Sequence, residues 1–275
     1  RIDVVRVETS GADAVRSGIA DFYYGFESHH AHLHPAFAAL GGMPLGEHMD
    51  PIHHYAWLMA GDGGDAWDEL SGIYGIKAFA AGHTGASQGL DSERILERAA
   101  DLQGLRIACD GLARDVVAAL GAEPVAIDWR TIDGSISALG IDAIETLGVP
   151  NAAVAHWRHG TGLMPGGMMA ALGMRRGLWA GLSSRQQIAV EAIAGEAFAR
   201  SLAQASLHEA TVARISEVRR WPVATAMPHD LVAAIEAASR QTLDRLAGTD
   251  PLSGRIVASY RSFRSTVSAS SASTV

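Results

Sequence analysis

One cysteine, Cys109, stands in 275 residues. That excludes an internal disulfide and leaves the compartment open, since many exported bacterial proteins contain none. No apolar run approaches the roughly 20 residues that a bilayer-crossing helix requires. Lys and Arg never run beyond a pair and the net charge is -8, which excludes the concentrated basic face of a nucleic-acid binder. There is no P-loop and no His-Glu-x-x-His pattern, and the glycine-rich Gly61-Asp-Gly-Gly64 does not follow a strand in a βαβ unit, so the nucleotide reading fails.

With 48% hydrophobic residues, the chain can bury one large core or two modest ones. Its first half alternates strand and helix patterns, which points to α/β layers. Ile2–Val7 reads as a strand, Gly11–Gly18 as a short helix and Phe22–Phe26 as the next strand. Lys77–Ala81 is an apolar run that ends in Gly82-His-Thr-Gly85. Leu105–Cys109, Leu112–Leu120 and Pro124–Ile127 form a strand-helix-strand unit with Gly121 closing the helix. A helix over Thr131–Leu139 and a strand over Asp142–Thr146 follow.

The second half is helical. Ser183 and Gln186 spell a capping box, and Val190, Ile193, Ala194, Ala197, Phe198, Ser201 and Leu202 mark one face of a helix running to about Ile215. Pro228–Leu246 is the next helix, with Leu231, Ala234, Ile235, Ala238, Leu243 and Leu246 inward, and Ile256, Tyr260, Phe263 and Val267 suggest a last one. Residues 268–275, rich in Ser, Ala and Thr, are expected to be a disordered tail. No Pro/Gly-rich linker is visible, so two lobes would have to share strands.

A family resemblance runs along the chain. Gly11-Ala-Asp-Ala-Val-Arg-Ser-Gly-Ile-Ala-Asp-Phe22, Pro35-Ala-Phe37, Trp57 to Trp67, Tyr74-Gly-Ile-Lys-Ala-Phe79, Gly82-His-Thr-Gly85 and Leu102-Gln-Gly-Leu105 occur in order and spacing. They resemble the solute-binding subunit of tripartite ATP-independent periplasmic (TRAP) transporters, in the dicarboxylate-binding-protein-like branch. The resemblance implies a two-lobe α/β periplasmic solute-binding fold with hinge strands and a long bridging helix. Lobe I is expected from 1–85 with 174–213, and lobe II from 86–173 with 214–267. The family's first strand and helix are expected to precede Arg1, which makes the sequence N-terminally incomplete by that pattern. The implied function is capture of a small solute for membrane subunits, in the periplasm, without catalysis and without a cofactor.

Candidate ligand residues follow from both readings. Glu27, Ser28 and His29 come just after a strand whose carboxyl end would open on the cleft. His83, between glycines, could exchange a hydrogen bond with a ligand, or belong to a plain turn. Where the family carries a carboxylate-clamping arginine, this chain has Ala108, next to Cys109 and Asp110; Arg106 is two residues earlier on the same strand face. In keto-acid-binding relatives a glutamine and a Glu-Trp pair help hold a cation. Those positions fall on Ser87, with Gln88 adjacent, and on Glu145-Thr146. Arg130 or Arg158 could supply a replacement cation, and Trp129 and Trp157 could form apolar or cation–π walls.

These changes predict that a neutral or amine-bearing solute binds better than a plain organic acid. His30, His32 and His34 alternate, with His29, His53 and His54 nearby, but a loop running into a helix would not keep them on one face, so no metal site is expected. Two alternatives stay open: a relative with lost or altered ligand binding, and an α/β enzyme in which Cys109 beside Asp110 draws on a distant histidine.

Overall fold

The computed structural model describes residues 3–4, 6, 9–126, 136–147, 156–219 and 224–272, without the side chains of 88, 212, 213, 215–219 and 270–272. Most of the expected Ile2–Val7 strand, part of the Thr131–Leu139 helix and the end of the Pro124–Ile127 strand lie outside those residues, as do Trp129 and Arg130.

The first described elements are α1 (Gly11–Arg16), capped by the Ser10 hydroxyl accepting from Asp13 N, and β1 (Phe22–Phe26). Short α2 (Ala36–Gly41), α3 (Pro51–Ala60) and α4 (Gly63–Ile73) lead into β2 (Ile76–His83). After a three-residue crossing, β3 (Ser87–Ser92) enters a second layer that continues with β4 (Arg106–Ala108), α5 (Ala113–Ala119) and β5 (Glu123–Val125). Gly121 takes φ +83 just past α5, as a helix-closing glycine does. Then come β6 (Ala143–Leu147), β7 (Trp157–Gly160) and β8 (Met169–Arg175). Last are α6 (Arg176–Gly181), α7 (Ser184–Arg219), β9 (Ala224–Ala226), α8 (His229–Ala247) and α9 (Pro251–Ala272).

Two sheets result. One has the order β1-β8-β2, the other β5-β4-β6-β3-β7-β9. Each has its own apolar core: Phe37, Trp57, Leu70 and Ile76 belong to the first, and Leu90, Leu102, Ile107 and Val116 to the second. Close approach in the first lobe requires glycine, because a Cβ on Gly173 would overlap the Tyr23 ring.

The lobes are joined where β2 runs into β3 and the 161–168 segment runs into β8. Thr84 N donates to Met168 O at 3.0 Å, and Met168 N donates to Thr84 Oγ1 at 2.9 Å. Ser87 N reaches Pro165 O at 3.3 Å. These bonds zip the two crossings together.

Three expectations need correction. The last helix packs on the first lobe, not the second: Leu252, Ile256, Val257 and Tyr260 lie in the first core. Arg261 and Arg264 reach buried Glu47 at 3.4 and 3.2 Å and hold it there. Strand β8, expected to divide between lobes at 173/174, pairs with β1 and β2 from Met169 onward. The tail expected to be disordered from Ser268 is helical through Ala272, since Ala and Ser extend a nucleated helix at little cost.

Gln186 Oε1 accepts from the Ser183 amide at 2.9 Å, the half of the box in which the side chain reaches back, and the Ser183 hydroxyl donates to the same oxygen at 2.8 Å. Of the face predicted for α7, Ala194 and Phe198 are buried, while Ile193 is 61% exposed because the helix meets β2 along a narrow stripe. Helix α8 places side chains in both cores, Leu231, Ile235 and Ala238 in one and Leu243 and Leu246 in the other.

Candidate functional site in the interlobe cleft

Loops at the carboxyl ends of β1 and β4 face each other across the lobe boundary, the position where open α/β sheets bind ligands. Between them lies a cleft of about 370 Å³, with Ser28, His29 and Ala38 on the first lobe and Asp110, Gly111 and Arg114 on the second. His29 Nε2 and the Asp110 carboxylate meet at 2.7 Å and bridge the lobes. The hydrogen bond to Asp110 raises the pKa of His29. For Asp110, burial pushes upward, yet the bonds from His29 and from Gly111 N (2.8 Å) leave its pKa below the usual carboxylate range. Gly111 sits at φ +56, where a Cβ would come 3.6 Å from Ser28 Cβ and 3.5 Å from Met168 Cε. The lobes are therefore in contact here, and the buried Ser28 hydroxyl has no partner among the described residues.

Several predicted site residues lie elsewhere. Glu27 is buried inside the first lobe, accepting from Tyr23 Oη at 2.6 Å and Trp67 Nε1 at 3.1 Å, and burial raises its pKa to about 7. Both its oxygens serve the core. His83 ends β2, where its Nδ1 accepts from Gly85 N at 3.1 Å and its ring packs against His54 and Phe198. Burial lowers its pKa to about 3, so it is neutral. Ala108 is fully buried against Ile136, Ile141 and Ile144. Arg106 points the other way along that face, to Gly140 O and the Glu123 carboxylate.

Glu145 is wholly buried and accepts from Ser87 Oγ (2.6 Å), Leu163 N (2.8 Å) and Met164 N (2.9 Å). Desolvation outweighs these bonds and raises its pKa to about 7. Thr146 is buried, and its Oγ1 donates to Gly89 O at 2.8 Å. Arg158, a candidate replacement clamp, gives two bonds of 2.7 Å to buried Asp91 on the neighbouring strand, and that carboxylate balances its charge. Trp157 is 41% exposed at the start of β7 and does not line the cleft. The Gln88 side chain, Trp129 and Arg130 lie outside the described residues.

The histidines disperse. His32 meets Asp13 at 2.7 Å, His34 meets Asp250 at 3.3 Å and His53 meets Asp50 at 2.5 Å, while His30 and His54 are buried among aromatic rings. Among the described residues no group of three His, Cys, Asp or Glu side chains converges on one point.

The enzyme reading rests on Cys109 beside Asp110. Burial pushes the Cys109 thiol up to about 12, so it stays protonated at neutral pH. Gly85-Ala-Ser87-Gln-Gly89 matches a Gly-x-Ser-x-Gly string that the sequence reading passed over. Ser87, however, opens strand β3 after a strand and donates to Glu145, whereas a nucleophile elbow needs a strand-turn-helix and a base. Arg114 was also missed. Its signal was a charged residue in the first turn of a helix that follows a cleft-facing strand end.

Two α/β lobes, double crossings and a cleft lined from both sides define a two-lobed solute-binding protein. The family model for bacterial extracellular solute-binding protein, family 7, matches residues 7–245, and the chain belongs to that family. A monocarboxylate 2-oxoacid-binding periplasmic protein of Nostoc sp. is 28% identical over 136 residues, a match that spans 50% of this chain and 37% of that relative. A TRAP transporter solute-binding protein from Bordetella bronchiseptica, with copurified calcium and picolinate, superposes with a TM-score of 0.86 at 22% identity, covering 94% of this chain and 78% of that one. Another, from Chromohalobacter salexigens with bound (S)-(+)-2-amino-1-propanol, gives 0.76 at 16% identity, covering 94% and 81%.

Proposed function

We propose that this chain is the extracytoplasmic solute receptor of a TRAP-type secondary transporter. It captures a small polar solute between its lobes, presents the closed form to membrane subunits and catalyses nothing. The observation that carries this reading is the cleft built half from each lobe and bridged by His29 and Asp110 at 2.7 Å. A ligand that fills such a cleft touches both lobes at once and shifts the population toward closure. The family's setting implies a periplasmic location.

Relatives take acids and an amino alcohol, some with a cation beside the acid. The cation position does not fit here. Both oxygens of Glu145 accept from backbone amides, one also takes the Ser87 hydroxyl, and no second acid joins them among the described residues. The solute is therefore bound without a metal bridge. A thermal-shift screen of organic acids, polyols and amines tests the receptor reading. Stabilisation should grow with ligand as RT ln(1 + [L]/Kd), reaching ~2.7 kcal/mol at a hundredfold excess over Kd. No shift from any class at millimolar concentration would sink it.

A further inference from the structure

We infer that Arg114 is the carboxylate-binding residue of the cleft, and that the solute is a small monocarboxylate. This rests on the receptor reading above and reverses the preference for neutral or cationic solutes that Ala108 suggested.

Among the described residues that line the cleft, Arg114 is a cation with no ion-pair partner, although its charge helps to lower the pKa of Asp110. Asp110 is matched by His29 at 2.7 Å and by Gly111 N at 2.8 Å. Arg158 is committed to Asp91. Arg114, half-buried at the cleft wall, makes only a long 3.5 Å contact from Nη1 to the Cys109 carbonyl, and among the described residues no carboxylate lies within ion-pair distance of it. A guanidinium has five donors in a planar fork suited to two parallel bonds with a carboxylate.

Across the cleft, the buried hydroxyl of Ser28 is unpartnered, on the lobe opposite Arg114. A carboxylate seated on Arg114, with an adjacent oxygen toward Ser28, would satisfy a group on each lobe and so couple binding to closure. Asp115, at the same wall, carries a negative charge that opposes a second carboxylate. That selects a monoanion over a dianion.

Calorimetry with pyruvate, malonate and 2-amino-1-propanol on the full chain tests this, using the wild type, Arg114→Gln, Arg114→Lys and Ser28→Ala. The expected order for the wild type is pyruvate tighter than malonate, with the amino alcohol weakest. Arg114→Gln should weaken pyruvate roughly thirtyfold, about 2 kcal/mol. Arg114→Lys should recover part of the loss, and Ser28→Ala should weaken pyruvate with a smaller effect. Unliganded melting temperatures should stay at the wild-type value, because Arg114 makes one weak contact. Pyruvate binding to Arg114→Gln within threefold of wild type overturns the assignment and leaves the receptor reading standing. So does a wild type that binds the amino alcohol but not pyruvate. Failure of all three ligands overturns the assignment, and the receptor reading falls with it only if the wider thermal-shift screen also gives no shift.

Discussion

Glu145 sets desolvation against hydrogen bonding, and a single substitution measures which wins. Three donors within 2.9 Å favour the carboxylate, yet complete burial raises its pKa from 4.5 to about 7. A pKa raised on folding means that the folded chain binds more protons than the unfolded chain between pH 4.5 and 7. The stabilising contribution is therefore fully present below pH 4.5, falls through the interval, and is gone once pH exceeds the folded value. At 1.36 kcal/mol per unit, the interval is worth about 3 kcal/mol, with no reduction for solvent because the group is fully buried. Glutamine does not titrate. Urea unfolding of wild type and Glu145→Gln from pH 5 to 8 should thus show the variant gaining on the wild type by about 2.5 kcal/mol as pH rises. A stability difference that stays flat across that range would refute the reasoning, since it would mean that the three donors keep the carboxylate ionised throughout.

Other consequences are simpler. Arg158→Met would leave Asp91 buried and unpaired, costing on the order of 3–5 kcal/mol in chemical unfolding; a loss below 1 kcal/mol would show that the pair does little for stability. Gly167 sits at φ +72 where a Cβ would overlap the Gly85 carbonyl oxygen across the two crossings, so Gly167→Ala should cost more than the ~1–3 kcal/mol of left-handed strain alone. A melting temperature within a degree of wild type would contradict that. The His29–Asp110 bridge should help closure most in mildly acidic solution. It weakens as pH rises through the raised pKa of His29, and again as pH falls through the lowered pKa of Asp110. Because His29 is half exposed, Asp110→Asn should weaken ligand binding by no more than about 1 kcal/mol, with the pH dependence flattened; an unchanged pH profile would remove the bridge from the account.

Much of the frame was legible in the residues. Phe22–Phe26, the strand-helix-strand unit around Leu112–Leu120 and the Ser183–Gln186 cap carry local signals strong enough to survive folding. What the sequence hid was the third dimension. Glu27 looks like a cleft acid until Tyr23 and Trp67 close on it, and Arg158 looks like a free cation until antiparallel register sets it opposite Asp91. Whether α9 belongs to one lobe or the other depends on Glu47, more than 200 residues away, meeting Arg261 and Arg264. Arg114 escaped because nothing in its local pattern says that its neighbours leave it unpaired.

Closure of the two lobes on a solute is the core of this account, and small-angle X-ray scattering reads it most directly. The tightest-binding of pyruvate, malonate and 2-amino-1-propanol should lower the radius of gyration at saturation, with the change diminished in Asp110→Asn. A ligand that saturates the chain by calorimetry yet leaves the scattering curve unchanged would contradict it.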